Sequence, residues 1–394
     1  MSDLKKHWPL DPEVVFLNHG SFGSCPRPVL EFQRELRDRM ERQPVQFLAR
    51  DLEGLLDEAR SALARFVGAR PENLVFVANA TSGVNTVLRS LRFAPGDELL
   101  VSDHEYTACH NALQFAAERA GAKVVVARVP FPFQATDQIM AAILGRVTRR
   151  TRLALIDHVT SQTGLVLPIG AIVRELAKRG VDTLVDGAHG PGMVPLELEK
   201  LGAAYYTGNC HKWLCAPIAA AFLHVRASRR KLIHPLAISH GWSSPRKDRS
   251  RFLIEFGWGG TWDPSACLSV GEAVRFVGGL VPGGWPEVMA RNRRLALEGQ
   301  ELLCQALKIG PPCPAECVGA MASVPLPPAR PKKGAGPLAA DPLQEQLLER
   351  HGIEVPVIPW PAPPKRLLRI SAQLYNEPRH YQFLADRLRE LLSV

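Results

Sequence analysis

No stretch of these 394 residues is apolar over the length a membrane-spanning helix requires, so a helical membrane protein is not expected. No secretory leader is expected either, because Lys5-Lys6 runs into His7-Trp8-Pro9 rather than an apolar segment. Basic residues are not gathered into a tract. The net charge is +9, but 48 Lys and Arg are interspersed with 39 Asp and Glu. Arg229-Arg230-Lys231 and Lys332-Lys333 are too short to form a nucleic-acid patch. The excess charge fits acidic substrates or a phosphate-bearing cofactor, and equally an ordinary solvated surface. The eight cysteines are irregularly spread, and neither Cys210, His211 and Cys215 nor Cys313 and Cys317 has zinc-finger spacing. No metal site is expected, and the cysteine usage suits a reducing cytoplasm. A Walker phosphate loop and internal repeats are also missing. What is left, 46% hydrophobic and 22% charged residues over this length, suits a globular enzyme with one large and one smaller domain.

The most informative stretch is VDTLVDGAHGPGMVPLELEKLGAAYYTGNCHKW, from Val181 to Trp213. The β-prone run Thr183-Leu184-Val185 ends in Asp186 and the small Gly187-Ala188. A second run, Ala203 to Thr207, ends in a polar turn carrying Asn209, His211 and Lys212. Ligands of open α/β sheets sit beyond the carboxyl ends of the strands, so Asp186 and Lys212 are expected at one edge. An amine and an acid so placed can serve one aromatic cofactor, the amine forming a Schiff base and the acid pairing with a ring nitrogen. Taken alone, the same pair also fits a buried Asp satisfied by loop amides and an exposed Lys.

The rest of the chain keeps that rhythm. Apolar runs at 74–77, 98–101, 123–126, 152–156 and 219–225 read as strands, and helical spacing falls at 28–42, 52–66, 84–91, 109–120, 137–147 and 169–179. This alternation predicts a mostly parallel sheet with helices on both faces. Polar turns recur at strand ends. Asn79-Ala80-Thr81-Ser82-Gly83 would bring N–H groups and hydroxyls to a helix N-terminus, as a phosphate site or a simple cap. His104 and Tyr106 could stack on a flat ring or cap the sheet. Residues 239–265 read as loop, and the Pro-rich 325–337 as a flexible surface loop. A strand at 366–371 and a helix at 378–392 close the chain.

Taken together, LNHGSFG, NATSGVNTVLRSL, DHEY, DHVTS, VDGAHGPGM, YYTGNCHKWLCAP and LRISAQLYN resemble the class V aminotransferase family of fold-type I pyridoxal phosphate (PLP) enzymes. Within it, the chain is most similar to the isopenicillin N epimerase-like group, over nearly its whole length. The resemblance implies an arm (1–20) packing with the small domain, a large PLP-binding domain (21–265) and a small α+β domain (266–394). It implies Lys212 as the Schiff-base lysine, Asp186 on the pyridine nitrogen and His189 near the ring hydroxyl. Ala80 and Thr81 match the phosphate turn, with Asn209 and His211 on its other side. His104 stands at the ring-stacking position, with Tyr106 as rival, and Ser161 near the ring oxygen. Arg369 matches the arginine that binds the substrate carboxylate, with Asn18 close by. Thr261 matches a residue that reaches the neighbouring subunit's phosphate, which implies a homodimer.

The activity implied is that of a PLP-dependent enzyme removing the α-proton of an amino acid, epimerase-like first. A carbon–sulfur β-lyase, an aminotransferase and a PLP-binding regulator without turnover are the alternatives. Desulfurases of this class carry a reactive cysteine on a loop ahead of the carboxylate arginine. Residues 332–342, the corresponding region, contain none, which disfavours persulfide chemistry.

Overall fold

The computed structural model describes residues 4–329 and 341–393. Its strands are β1 (Val15–Phe16), β2 (Leu74–Val77), β3 (Glu98–Ser102), β4 (Lys123–Ala127), β5 (Thr151–Asp157), β6 (Asp182–Asp186), β7 (Tyr205–Asn209), β8 (Ala221–Val225), β9 (Met321–Leu326), β10 (Ile353–Glu354), β11 (Val357–Pro359) and β12 (Arg366–Ser371). Seven of them form one sheet in the order β2-β8-β7-β6-β5-β3-β4. Strands β4, β3, β5, β6 and β7 run parallel, and β8 is antiparallel to both β7 and β2.

The apolar runs are continuous because both faces of the sheet are covered. Ala154, Ile156, Val185 and Tyr206 feed one buried cluster, while Leu153, Leu155, Leu184 and Tyr205 feed another on the opposite face. The second cluster is closed by α3 (Ala80–Ser90) and α4 (Thr107–Ala120), which follow α1 (Arg27–Arg42) and α2 (Leu52–Val67) in the chain. Helix α3 begins at Ala80, four residues earlier than its apolar spacing suggests. The Asn79 side chain accepts the Ser82 N–H at 2.8 Å, so the hydroxyl-rich turn is itself the first helical turn. Gly83 lies where this helix meets β7, and a Cβ there would run into the Thr207 side chain.

The C-terminal part carries the antiparallel sheet β11-β12-β9, backed by the helices Gly284–Leu307 and Pro378–Leu392. The N-terminal segment is stitched onto it. Strand β1 pairs in parallel with β10, the Leu17 N–H reaches the Glu354 carbonyl at 2.9 Å, and the Ser371 N–H reaches the Leu17 carbonyl at 2.9 Å. Buried Trp8 meets Tyr375 edge-on at 5.2 Å. Residues 18–23 are thereby delivered to the edge of the large sheet.

One stretch differs from the sequence reading. The region 239–265 holds a helix, Arg251–Gly257, whose cap is the Ser250 hydroxyl accepting the Leu253 N–H at 3.3 Å. Residues 330–340, which hold most of the Pro-rich break and of the segment searched for a cysteine, lie outside the described residues. Among the described residues no helix is long and apolar enough to cross a membrane.

Candidate active site

A cavity of about 470 Å³ opens at the carboxyl ends of β5, β6 and β7. Its lining includes Gly20, Ser21, Ala80, Thr81, Tyr106, Asp157, Ser161, Asp186, His189, Asn209, His211, Lys212 and Arg369. Most residues singled out from the sequence therefore converge on one space.

Lys212 follows β7 on a loop held in an unusual backbone. Cys215 and Ala219, neither a glycine, have φ of 60° and 75°. The Lys212 carbonyl faces His19 Nε2 at 3.1 Å, and a Cβ on Gly23 would press the His211 and Lys212 carbonyls at 3.0 Å. Lys212 Nζ lies 3.2 Å from His189 Nε2. Burial, then the Arg369 cation, lowers the Lys212 pKa to about 8, against the pull of Asp186. His189 completes this picture. The Trp213 indole N–H donates to its Nδ1 at 3.2 Å, so a neutral ring carries its proton on Nε2. Burial and then Lys212 hold His189 well below its ordinary pKa. An Nε2–H facing Nζ requires the amine to accept, which only an uncharged lysine does.

Asp186 ends β6 and is buried. Its Oδ1 accepts the Ala188 N–H at 2.9 Å, and its Oδ2 accepts the Cys109 thiol at 3.1 Å. Burial raises its pKa, while these two bonds and Lys212 oppose the rise. At the first turn of α3, the Ala80 N–H is already committed to Asn209 Oδ1 at 2.8 Å. Thr81, half-buried, lines the cavity beside it. His211 donates from Nδ1 to the Ala220 carbonyl at 2.8 Å, and burial lowers its pKa to about 4.

Arg369 on β12 is 2% exposed. Its Nη1 donates to the Ser161 carbonyl at 2.5 Å and its Nη2 to Ser21 Oγ at 2.7 Å, while its Nε has no partner. Burial lowers its pKa to about 10. A guanidinium buried at a cavity wall on neutral oxygens alone is an anion site.

Two expectations come out differently, those for His104 and Asn18. His104 is turned into the protein. Its Nδ1 meets Thr163 Oγ1 at 2.8 Å, its Nε2 meets the Val129 carbonyl at 2.9 Å, and its ring lies edge-on to Trp360 at 4.5 Å. With both nitrogens bonded inside, it does not line the cavity; Tyr106, 47% exposed, does. Asn18 stands behind Arg369 rather than in the cavity, spanning Glu354 Oε1 at 3.0 Å and Arg369 Nη2 at 3.5 Å. Thr261 is exposed and outside this chain's cavity. Ser21 and Asp157 line the cavity and His19 braces the Lys212 carbonyl, three positions that the sequence reading did not single out. Ser21 and His19 lie inside the quoted LNHGSFG motif, which was signal enough to find them.

The site fits PLP. It combines a buried carboxylate, a lysine whose pKa burial lowers to about 8 beside a neutral histidine, a helix N-terminus at Thr81 and a buried guanidinium at Arg369. This fold and site define a PLP-dependent enzyme of fold-type I, and the chain belongs to the class-V aminotransferase family, which it matches over residues 26–301. Among its relatives, the isopenicillin N epimerase of Amycolatopsis lactamdurans is 38% identical over 97% of this chain and 96% of its own. A probable chloroplastic L-cysteine desulfhydrase of Arabidopsis thaliana is 32% identical, over 97% of this chain and 84% of its own. The fold is shared with a solved lysine-to-alanine mutant of C-DES carrying glycine covalently linked to its PLP cofactor. The TM-score is 0.79 at 20% identity, covering 97% of this chain and 98% of that one.

Proposed function

We propose that the protein epimerises the α-carbon of an amino acid carried at the end of a larger substrate. One observation carries the reading: Tyr106 and Lys212 line the same cavity, and the strands that lead to them, β3 and β7, lie on opposite sides of β6, which ends in Asp186. An epimerase needs a proton taken from one face and returned to the other. Near-full-length similarity to an isopenicillin N epimerase supports the same reading.

Bound PLP supplies an electron sink for the charge that develops at the substrate α-carbon. Arg369 holds the α-carboxylate with two parallel hydrogen bonds, redirecting donors now spent on Ser21 and Ser161, and so fixes which α-bond is exposed to attack. Lys212, with a pKa near 8 in the cofactor-free site, is neutral in an appreciable fraction at physiological pH and takes the α-proton as general base. Tyr106 returns a proton on the other side, directly or through a water. With PLP bound, Asp186 would pair with the ring nitrogen, His189 would contact the ring hydroxyl, and Thr81, Asn209 and His211 would hold the phosphate. The apolar Phe22 and Ile218, 82% and 75% exposed, line the cavity and suit the distal part of a larger substrate.

A carbon–sulfur β-lyase is the second reading, supported by the desulfhydrase relative. It shares every step up to proton removal and then uses Tyr106 as the acid for a departing sulfur. No cysteine lines the cavity among the described residues, so sulfur is not expected to be passed to the enzyme as a persulfide. The reading includes a cytoplasmic homodimer in which Thr261 completes the partner subunit's phosphate site.

Turnover in deuterated water tests the proposal. Solvent deuterium at the α-carbon with inversion of an L-amino acid is expected. Release of pyruvate and ammonia from cysteine or its S-conjugates, without inversion of any amino acid, would replace the epimerase by the lyase.

A further inference from the structure

Behind Asp186 lies acid that the chemistry above does not use. Glu105, Asp157 and Asp186 are 4%, 2% and 3% exposed. Asp157 and Asp186 are Cα partners at the ends of the parallel strands β5 and β6. Glu105 enters from the turn before α4. A carboxyl oxygen of Glu105, one of Asp186 and the Cys109 sulfur all lie within 4.8 Å of one another. Both Glu105 oxygens and Asp157 Oδ2 are buried without a hydrogen-bond partner. Asp186 alone is well served, by Ala188 and Cys109.

The titratable groups facing this trio are Cys109 on α4, Tyr206 on β7 and Lys212 beyond β7. Lys212 is the single cation among them, and it acts on Asp186. Three carboxylates cannot share a dry pocket with one amine that is itself easily deprotonated, because repulsion and desolvation both oppose it. The charge belongs on the carboxylate that has donors and a cation beside it.

We propose that Glu105 is a positioning residue: it stands as an uncharged acid behind Asp186, as Asp157 does beside it, and so confines the cluster's one negative charge to the carboxylate that faces the cofactor nitrogen. The inference rests on Asp186 being that nitrogen's partner. Burial first, and then the charges of Asp157 and Asp186, push Glu105 well above the ordinary carboxylate range, and burial moves Asp157 the same way. An ionised Glu105 would raise the proton affinity of Asp186 and of the ring nitrogen together. A neutral one leaves the nitrogen bonded to a single, localised charge.

Infrared spectra of the full-length protein, with PLP bound and after its removal, read the protonation directly. A carbonyl band of protonated carboxyl is expected near neutral pH in the wild type and is expected to weaken in both Glu105→Gln and Asp157→Asn. Titration of the visible band of the holoenzyme reads the positioning. Glu105→Gln and Glu105→Leu both place an uncharged side chain beside Asp186, and each should hold the titration within about twofold of the wild-type proton affinity. A shift of about tenfold or more in Glu105→Gln would mean that the wild-type side chain carries charge, and that result overturns the proposal. So does a wild type without the protonated band, or a band that Glu105→Gln leaves intact. If Glu105→Leu fails to fold, the band and the Glu105→Gln titration still decide. The band in the PLP-free protein does not depend on what Asp186 faces. Its loss in Glu105→Gln beside a holoenzyme titration that Asp186→Asn leaves unchanged would fault the Asp186 assignment, and with it the positioning role.

Discussion

Lys212 works as a base only if it is a poor holder of protons, and its surroundings arrange this. Arg369 is the second cause of its lowered pKa after burial. Arg369→Ala should therefore raise the lysine pKa above about 8 while weakening substrate binding. The lost charged hydrogen bonds are worth about 1.5–3 kcal/mol, or roughly ten- to hundredfold in affinity. A pH–rate profile and KM for the variant check both; an unchanged KM would contradict the carboxylate role. His19 makes a second case. Burial holds it at about 4 against 6.5 when unfolded. The unfolded chain therefore binds the extra proton first, and stability should fall as pH drops from 6.5 towards 4. Denaturant midpoints across that window should converge with those of His19→Asn, which has no proton to gain; parallel curves would contradict the buried neutral ring. Lys212, Asp186, Asn209, His211 and Arg369 were legible because each ends or interrupts an apolar run. The choice between His104 and Tyr106 was not, since it depends on Thr163 and Val129, distant in sequence, absorbing both nitrogens of the histidine.

Helix α3 shows how an element builds the phosphate end of the cavity. Asn79 caps it, Asn209 secures the Ala80 N–H, and Gly83 lets it settle on β7. Asn79→Ala should cost about 1 kcal/mol of stability through the lost cap. Gly83→Ala should cost about 1–3 kcal/mol by forcing helix and strand apart, and should weaken PLP binding as well. Urea unfolding and PLP titration check both, and wild-type values for Gly83→Ala would contradict the close approach. The strands of the large sheet were legible to within a residue or two, because burial on both faces makes each a continuous apolar run. The start of α3 was not, as its first turn looks like loop until its cap is seen. The helix Arg251–Gly257 was hidden for a similar reason: its seven residues sit in a Gly-, Ser- and Trp-rich stretch too short for a helical period to stand out.

At the scale of the molecule, the site draws on three parts of the chain. The N-terminal segment supplies Ser21, the large sheet supplies Asp186 and Lys212, and the C-terminal sheet supplies Arg369. The parallel pairing of β1 with β10 holds the first and last of these together. Trp242 and Trp262 remain exposed on the single chain, away from the cavity, and covering them is what a homodimer is expected to do. Sedimentation should show an active dimer; a fully active monomer would contradict the assignment of Thr261 to the partner's site. The edge that carries the site was readable from alternating strands and helices and their polar ends. The way the arm threads between the sheets was not, since β1 and β10 are two residues each and carry no periodic signal.

Borohydride reduction of the holoenzyme, followed by peptide mass mapping, bears most directly on the site as a whole. The pyridoxyl mass is expected on the peptide carrying Lys212, with the visible band lost and activity abolished. Label on another lysine, or a protein that takes up no PLP, would contradict the role of Lys212 and those of Asp186, His189 and Arg369 arranged around it.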